Sequence, residues 1–219
     1  MNITDYLVQK SNGLLQIQPE INDWTGKKYR MFNTGSVEVE VAEFLYAMVR
    51  LTKPKMILDT GTHYGVSAAY MAQALKDNGL GGMVDSYEIN PIYAEEALKL
   101  WKTLDILDIR SFVDDFAKSP LIEDKYQFAL LDTEPQLRFA ELIKVYHHIE
   151  QGGFIFIHDL HRHMSQGDNA EHGFGWPFGK LPEEIIAWMK EGRLRPWHFP
   201  TPRGLAGFYK TDPGDYKFL

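Results

Sequence analysis

The chain has 219 residues, 44% hydrophobic and 24% charged, which suits one globular domain, or one with a small cap, burying roughly 70% of the surface its unfolded chain exposes. Its 23 basic and 30 acidic residues leave a formal charge of −7 with no Lys/Arg-rich run, so nucleic acid and anionic membrane are poor default partners. With no cysteine, disulfides, thiolate metal sites and cysteine nucleophiles are excluded.

The opening MNITDYLVQK has neither the basic nor the apolar region of a secretory signal, and no apolar run approaches the ~18 residues of a membrane span. A soluble cytoplasmic protein is expected. Residues 1–35, with Trp24, Tyr29 and Phe32, are expected to form an extension that closes one side of the site or packs on a second subunit; 36–219 form the main domain.

From there, β-branched and aromatic runs alternate with segments of helical period, the pattern of a mostly parallel sheet covered by helices on both faces. A helix is predicted over 37–51, capped by Ser36, with Val41, Phe44, Leu45, Met48 and Val49 at helical spacing, and Pro54 forbids its continuation. A strand at 56–58 ends at Asp59, a loop covers 60–65, and a helix runs to Asp77 with Gly79 as its stop. The strand 83–87 ends at Glu88; Asn90 then caps, and Pro91 opens, a helix burying Ala94, Leu98 and Trp101. The strand 109–113 leads to Asp114 and Asp115, and the strand 128–131 to Asp132. A helix from Pro135 buries Phe139, Leu142, Ile143, Tyr146 and Ile149, and the strand 154–157 runs into His158 and Asp159. A helix over 183–190 and two strands at 196–199 and 205–210, close enough for an antiparallel return, complete the chain.

Five strand-like runs thus end in, or lead directly to, an acidic residue: Asp59, Glu88, Asp114 or Asp115, Asp132 and Asp159. Ligands of open parallel sheets bind outside the carboxyl ends of the strands. A single loop carboxylate there is unremarkable, but five crowd negative charge together unless hydroxyls, ammonium groups or a metal ion answer it.

The segment Asp59-Thr-Gly61-Thr-His-Tyr-Gly65 joins a strand to a helix, where backbone can approach a ligand. No G-x-G-x-x-G fits it and no Gly-Lys-Ser/Thr follows, so the pyrophosphate readings lose their support. Taken together, ILDTGTHYGVSAAYMAQAL, VDSYEINP, FALLDTEP, GGFIFIHDLH and the closing FPTPRGLAGFYK, in this order and spacing, resemble the class I S-adenosylmethionine-dependent methyltransferases, in particular the catechol-type and natural-product or sugar O-methyltransferases. The resemblance spans residues 36–210. It implies a Rossmann-like, mostly parallel seven-stranded sheet with an antiparallel C-terminal strand and helices on both faces, S-adenosylmethionine as methyl donor, and a small-molecule hydroxyl as acceptor. A homodimer is a further expectation.

Carried over residue by residue, the resemblance implies that Gly61, Thr62, Gly65 and Ser67 accommodate the methionine moiety, with Asp59 near its ammonium group. Glu88 takes both ribose hydroxyls, since a carboxylate can accept two donors at once. Asp115, or less favourably Asp114, stands by the adenine, and Asp132 borders the cofactor. Asp132 and Asp159 fall where the catechol-type relatives hold magnesium or another divalent ion, with His158, His161 or Glu134 open as third ligand. The relatives' lysine base is replaced here by Pro135. A histidine substitutes naturally, with His161 preferred, then His158, then His163, and with Asp132 in the catalytic set. Residues 164–180, with Phe174, Trp176 and Phe178, are expected to form a lid. Two other readings stay open: a nucleoside-cofactor enzyme of different chemistry, such as an oxidoreductase, and a non-catalytic cofactor-binding scaffold.

Overall fold

The computed structural model describes every residue except 23–25, 27, 124, 161–180, 200 and 212–219. It comprises two compact units, Met1–Pro120 and Leu121–Leu219.

The first unit opens with a helix that periodicity did not reveal, α1 (Ile3–Lys10), where the Asn2 side chain accepts from Asp5 N–H at 2.7 Å. Two short strands, β1 (Ile21–Asn22) and β2 (Lys28–Tyr29), pair antiparallel. Then follow α2 (Val39–Thr52), β3 (Met56–Thr60), α3 (Val66–Asn78), β4 (Met83–Glu88), α4 (Pro91–Leu104) and β5 (Ile109–Val113). Ser36 does not cap α2. Glu38 occupies that position without a side-chain capping hydrogen bond, while the Ser36 hydroxyl lies 2.7 Å from that of Thr34.

Asn90 and Pro91 start α4 as expected, but Leu98 is 49% exposed, and the buried face is Ala94, Ala97, Leu100, Trp101 and Leu104. The burial of α3 is broader: every residue from Val66 to Leu75 is covered, as a small-residue, alanine-rich helix permits. The strands of this unit lie in the order β5-β4-β3, all parallel. Register pairs Thr60 with Tyr87 and Glu88 with Val113, so the strands' carboxyl ends finish together. Lower in the pair, Arg110 donates to both oxygens of the buried Asp85, from Nε at 2.6 Å and Nη2 at 2.8 Å.

In the second unit β6 (Tyr126–Leu131) leads through a 3₁₀ turn at Pro135–Leu137 into α5 (Arg138–Tyr146). β7 (Ile149–His158), α6 (Glu183–Lys190), β8 (Leu194–Phe199) and β9 (Leu205–Lys210) follow. The helix expected from Pro135 is therefore shorter: Ile149 belongs to the next strand, and Ile143 is half-buried. The order is β6-β7-β9-β8, with β6 and β7 parallel and β9 antiparallel to both neighbours. A register shift between Tyr126 and Phe128 absorbs the extra residues around Gly152 and Gly153. A Cβ on Gly153 would stand 2.6 Å from Ile149 Cγ2, so the irregular strand requires glycine there.

Three parallel strands in the first unit, and in the second a parallel pair followed by the antiparallel β9, give the mostly parallel, Rossmann-like pattern expected. Among the described residues no helix is long and apolar enough to cross a membrane.

Candidate functional site

In the first unit, the end of β3 and the loop after it form a hydroxyl-lined turn. Asp59 is fully buried; its Oδ1 accepts from the Ser67 hydroxyl at 3.0 Å and its Oδ2 from the Ser86 hydroxyl at 2.6 Å. Thr62 Oγ1 lies 2.6 Å from Ser86 Oγ, and since Ser86 donates to Asp59, Thr62 donates to Ser86. Hydroxyls answer this first carboxylate. The N–H groups of Gly61 and Thr62 both reach the Tyr87 carbonyl, at 3.0 and 3.1 Å, and tie the turn to the end of β4.

Glu88 closes β4 and spans two loops. Its Oε2 accepts from His63 N–H at 2.7 Å and its Oε1 from Asn90 N–H at 2.9 Å. Both are backbone donors, so the carboxylate is held in one orientation, and each oxygen keeps a second lone pair. His63 carries φ of +50°, and its ring sits edge-on to Tyr64 and Tyr93, with centroids 4.5 and 4.6 Å away.

Gly65 is fixed from behind. At φ of +76° it begins α3, its carbonyl accepts from Trp101 Nε1 at 2.8 Å, and a Cβ there would lie 2.6 Å from that same nitrogen. The glycine admits the indole of α4; any ligand meets only its backbone.

After β5, Asp114 is exposed, and its Oδ1 accepts from Asp115 N–H at 2.8 Å. Asp115 caps the following turn through Ala117 N–H at 3.0 Å and pairs with Lys118 Nζ at 2.6 Å. Beside it, Tyr87 stacks on Phe112 at 4.7 Å and meets Phe116 edge-on at 5.1 Å.

The second unit brings Asp132, His158 and Asp159 together, with one ligand atom of each within 4.8 Å of the others. His158 Nδ1 lies 3.1 and 3.2 Å from the two Asp132 oxygens. His158 is wholly buried, whereas the Asp132 side chain is 16% exposed. Two arginines that sequence reading did not single out complete the cluster. Arg138, in the first turn of α5 and 3% exposed, sets Nη2 at 2.9 Å from Asp132 Oδ1 and 3.6 Å from Asp159 Oδ2. It also donates to the carbonyls of Thr133 and His158, and so binds the ends of β6 and β7 together. Arg203, in the turn between β8 and β9, places Nη2 at 2.6 Å from Asp159 Oδ2 and Nε at 2.6 Å from Oδ1. Burial by itself raises the Asp159 carboxyl, but the charges of His158, Arg203 and Arg138 outweigh it and hold the group below the ordinary carboxylate value.

Arg138 was legible in principle: it falls at helical spacing with Leu142 and Val145, and a cation on an apolar stripe announces a buried anion. Arg203, inside a Pro-Arg-Gly turn, carried no such signal.

These arginines decide whether the trio fits a divalent metal. Magnesium needs near-octahedral oxygen ligands at about 2.1 Å and takes them from carboxylates and water. Here Asp159 faces one guanidinium with both oxygens, Asp132 faces another, and the imidazole nitrogen is turned to Asp132. The residues do not fit the ion, because guanidinium groups stand where it would bind. Glu134 lies outside the trio, and His161, His163 and the segment with Phe174, Trp176 and Phe178 lie outside the described residues, as does Trp24.

Residues 58–160 match a family model described as a methyltransferase domain. A putative O-methyltransferase from Klebsiella pneumoniae is 16% identical, with TM-score 0.66 over 95% of this chain and 89% of its own. A methyltransferase from Podospora anserina, bound to S-adenosylhomocysteine, is 15% identical with TM-score 0.70, covering 97% and 90%. The O-methyltransferase of Bacillus cereus, also in complex with S-adenosylhomocysteine, is 18% identical with TM-score 0.59, covering 80% and 83%. At such identities the likeness is one of fold. No curated protein matches the chain. Residues 58–160 are thus similar to a methyltransferase domain, and the fold is that of the methyltransferases the chain resembles.

Proposed function

We propose that the protein transfers a methyl group from S-adenosylmethionine to a hydroxyl of a small metabolite. The observation that carries the reading is Glu88: a nearly buried carboxylate at a strand end, oriented by His63 and Asn90 N–H, with acceptor capacity left on both oxygens. Two adjacent ribose hydroxyls are donors of the matching number and spacing.

Bound S-adenosylmethionine supplies an electrophilic methyl on sulfur. Gly61, Thr62 and Gly65 offer it backbone, and Ser67 and Asp59 the hydroxyl-braced carboxylate side of the same turn. Asp115, oriented by Ala117 N–H and Lys118, or less favourably the exposed Asp114, is proposed beside the adenine amino group.

For the acceptor we assign Asp132 and His158. Asp132, the more exposed of the two, accepts the hydroxyl's hydrogen bond and takes its proton as the methyl is transferred, while His158 Nδ1 holds the carboxylate in place. Most of the acceleration comes from orientation, since methyl transfer needs no covalent step on the protein. His161 is the other proposed base, and Asp132 is also proposed to border the cofactor. The working partner is a small molecule, with a homodimer in the cytoplasm as the proposed state.

Calorimetry with S-adenosylmethionine, S-adenosylhomocysteine and NAD, followed by mass spectrometry for a +CH₂ product in a metabolite extract, tests the reading. Binding of the first two with loss in Glu88→Ala is expected. Binding of NAD alone would return the chain to oxidoreductase chemistry, and binding without any methylated product would make it a scaffold.

A further inference from the structure

In the second unit two carboxylates face two guanidiniums, which leaves the cluster without net charge before His158 is counted. A site built for a divalent cation keeps an excess of negative charge for it. This one has spent that charge on Arg138 and Arg203. Arg138 cannot simply swing away, for it is 3% exposed and its other nitrogens are committed to the Thr133 and His158 carbonyls. Arg203 is held by a hydrogen bond from Nη2 to Asp159 Oδ2 and a close ion pair with Oδ1, and the turn that carries it is tied to the end of β7 by Leu160 N–H to the Gly204 carbonyl at 3.2 Å. Asp159 itself sits at φ of +61°, a conformation an aspartate adopts at a cost, and in it the carboxylate meets both arginines.

We propose that Arg138 and Arg203 take the place of a divalent cation at the Asp132–His158–Asp159 cluster, so that this methyltransferase works without a metal. The positive charge at these strand ends is built into the chain: one arginine buried in the first turn of α5, the other on the β8–β9 turn. The consequence for catalysis rests on the methyltransferase reading above; the exclusion of the ion from the cluster does not.

The full-length protein is titrated with Mn²⁺ and the free ion is read by electron paramagnetic resonance. Wild type is expected to take up no stoichiometric Mn²⁺ at millimolar metal. Arg203→Gln, which leaves the carboxylates under-neutralised, is expected to bind Mn²⁺ at least about tenfold more tightly, and adding Asp159→Asn to it should remove the gain. One Mn²⁺ per wild-type chain, lost in Asp159→Asn, overturns the proposal, as does Arg203→Gln folded by circular dichroism yet gaining no affinity. If Arg203→Gln does not fold, the wild-type titration still decides. S-adenosylhomocysteine calorimetry on the same sample separates the two claims: its failure sinks the methyltransferase reading and leaves the metal result standing.

Discussion

Glu88 joins structure and binding in one side chain. Glu88→Gln keeps one acceptor oxygen but presents an amide to the second N–H, so either His63 or Asn90 loses its partner. Leaving such a group unpaired costs roughly 1–3 kcal/mol, and thermal melts should show a loss of that size. Calorimetry should show cofactor affinity falling by about 10-fold or more, since a charged acceptor has gone. A variant that binds as tightly as wild type would remove Glu88 from the cofactor's partners. The Asp159 carboxyl makes a pH-dependent contribution with a definite sign. Its native value is depressed by His158, Arg203 and Arg138 against the opposing effect of burial. It therefore stabilises the fold above the unfolded carboxylate range, near 3.9, and that stability is lost as pH falls through the lower native value. Acid unfolding of Asp159→Asn should be correspondingly less steep with pH below about 4.

Among the elements, the meeting of α3 and α4 at Gly65 is the most constrained. The Trp101 indole fills the space of a Cβ and donates to the Gly65 carbonyl, while the backbone there is left-handed. Gly65→Ala combines a left-handed penalty of roughly 1–2 kcal/mol with overpacking of roughly 1–3 kcal/mol. Denaturant unfolding should record a loss of about 2–5 kcal/mol, and a neutral result would mean that Trp101 repacks freely. The resemblance gives Gly65 a place at the ligand, and its other side is taken by Trp101. Spacing marks a glycine as special, but it does not say which side of the backbone must stay clear. The boundary errors share that origin: Leu98 obeys the helical period yet faces solvent, and Ile149 continues the apolar spacing of α5 from inside β7. Periodicity reports which residues are apolar, and tertiary packing decides which face is covered.

At the scale of the molecule, a ligand that binds only the folded chain raises stability by mass action. S-adenosylhomocysteine at about a hundred times its dissociation constant adds about 2.7 kcal/mol, which for a chain of this length is an upward Tm shift of roughly 5–10 °C. A scanning calorimetry series with no shift would count against the cofactor assignment.

The alternation of elements, the strand-end carboxylates and the order of the methyltransferase motifs were all legible in the linear chain, because burial patterns and turn residues are local properties written at fixed spacing. What answers each carboxylate was not legible. Asp59 is met by Ser67 and by Ser86 from the neighbouring strand; Asp132 and Asp159 are met by Arg138 on a helix and Arg203 on a hairpin turn 65 positions later in the numbering. Charge neutralisation acts through space over a few ångströms. Which cation stands opposite an acid is therefore set by strand register and by the return of the chain, and only the folded molecule reveals that Arg138 and Arg203 stand beside these carboxylates.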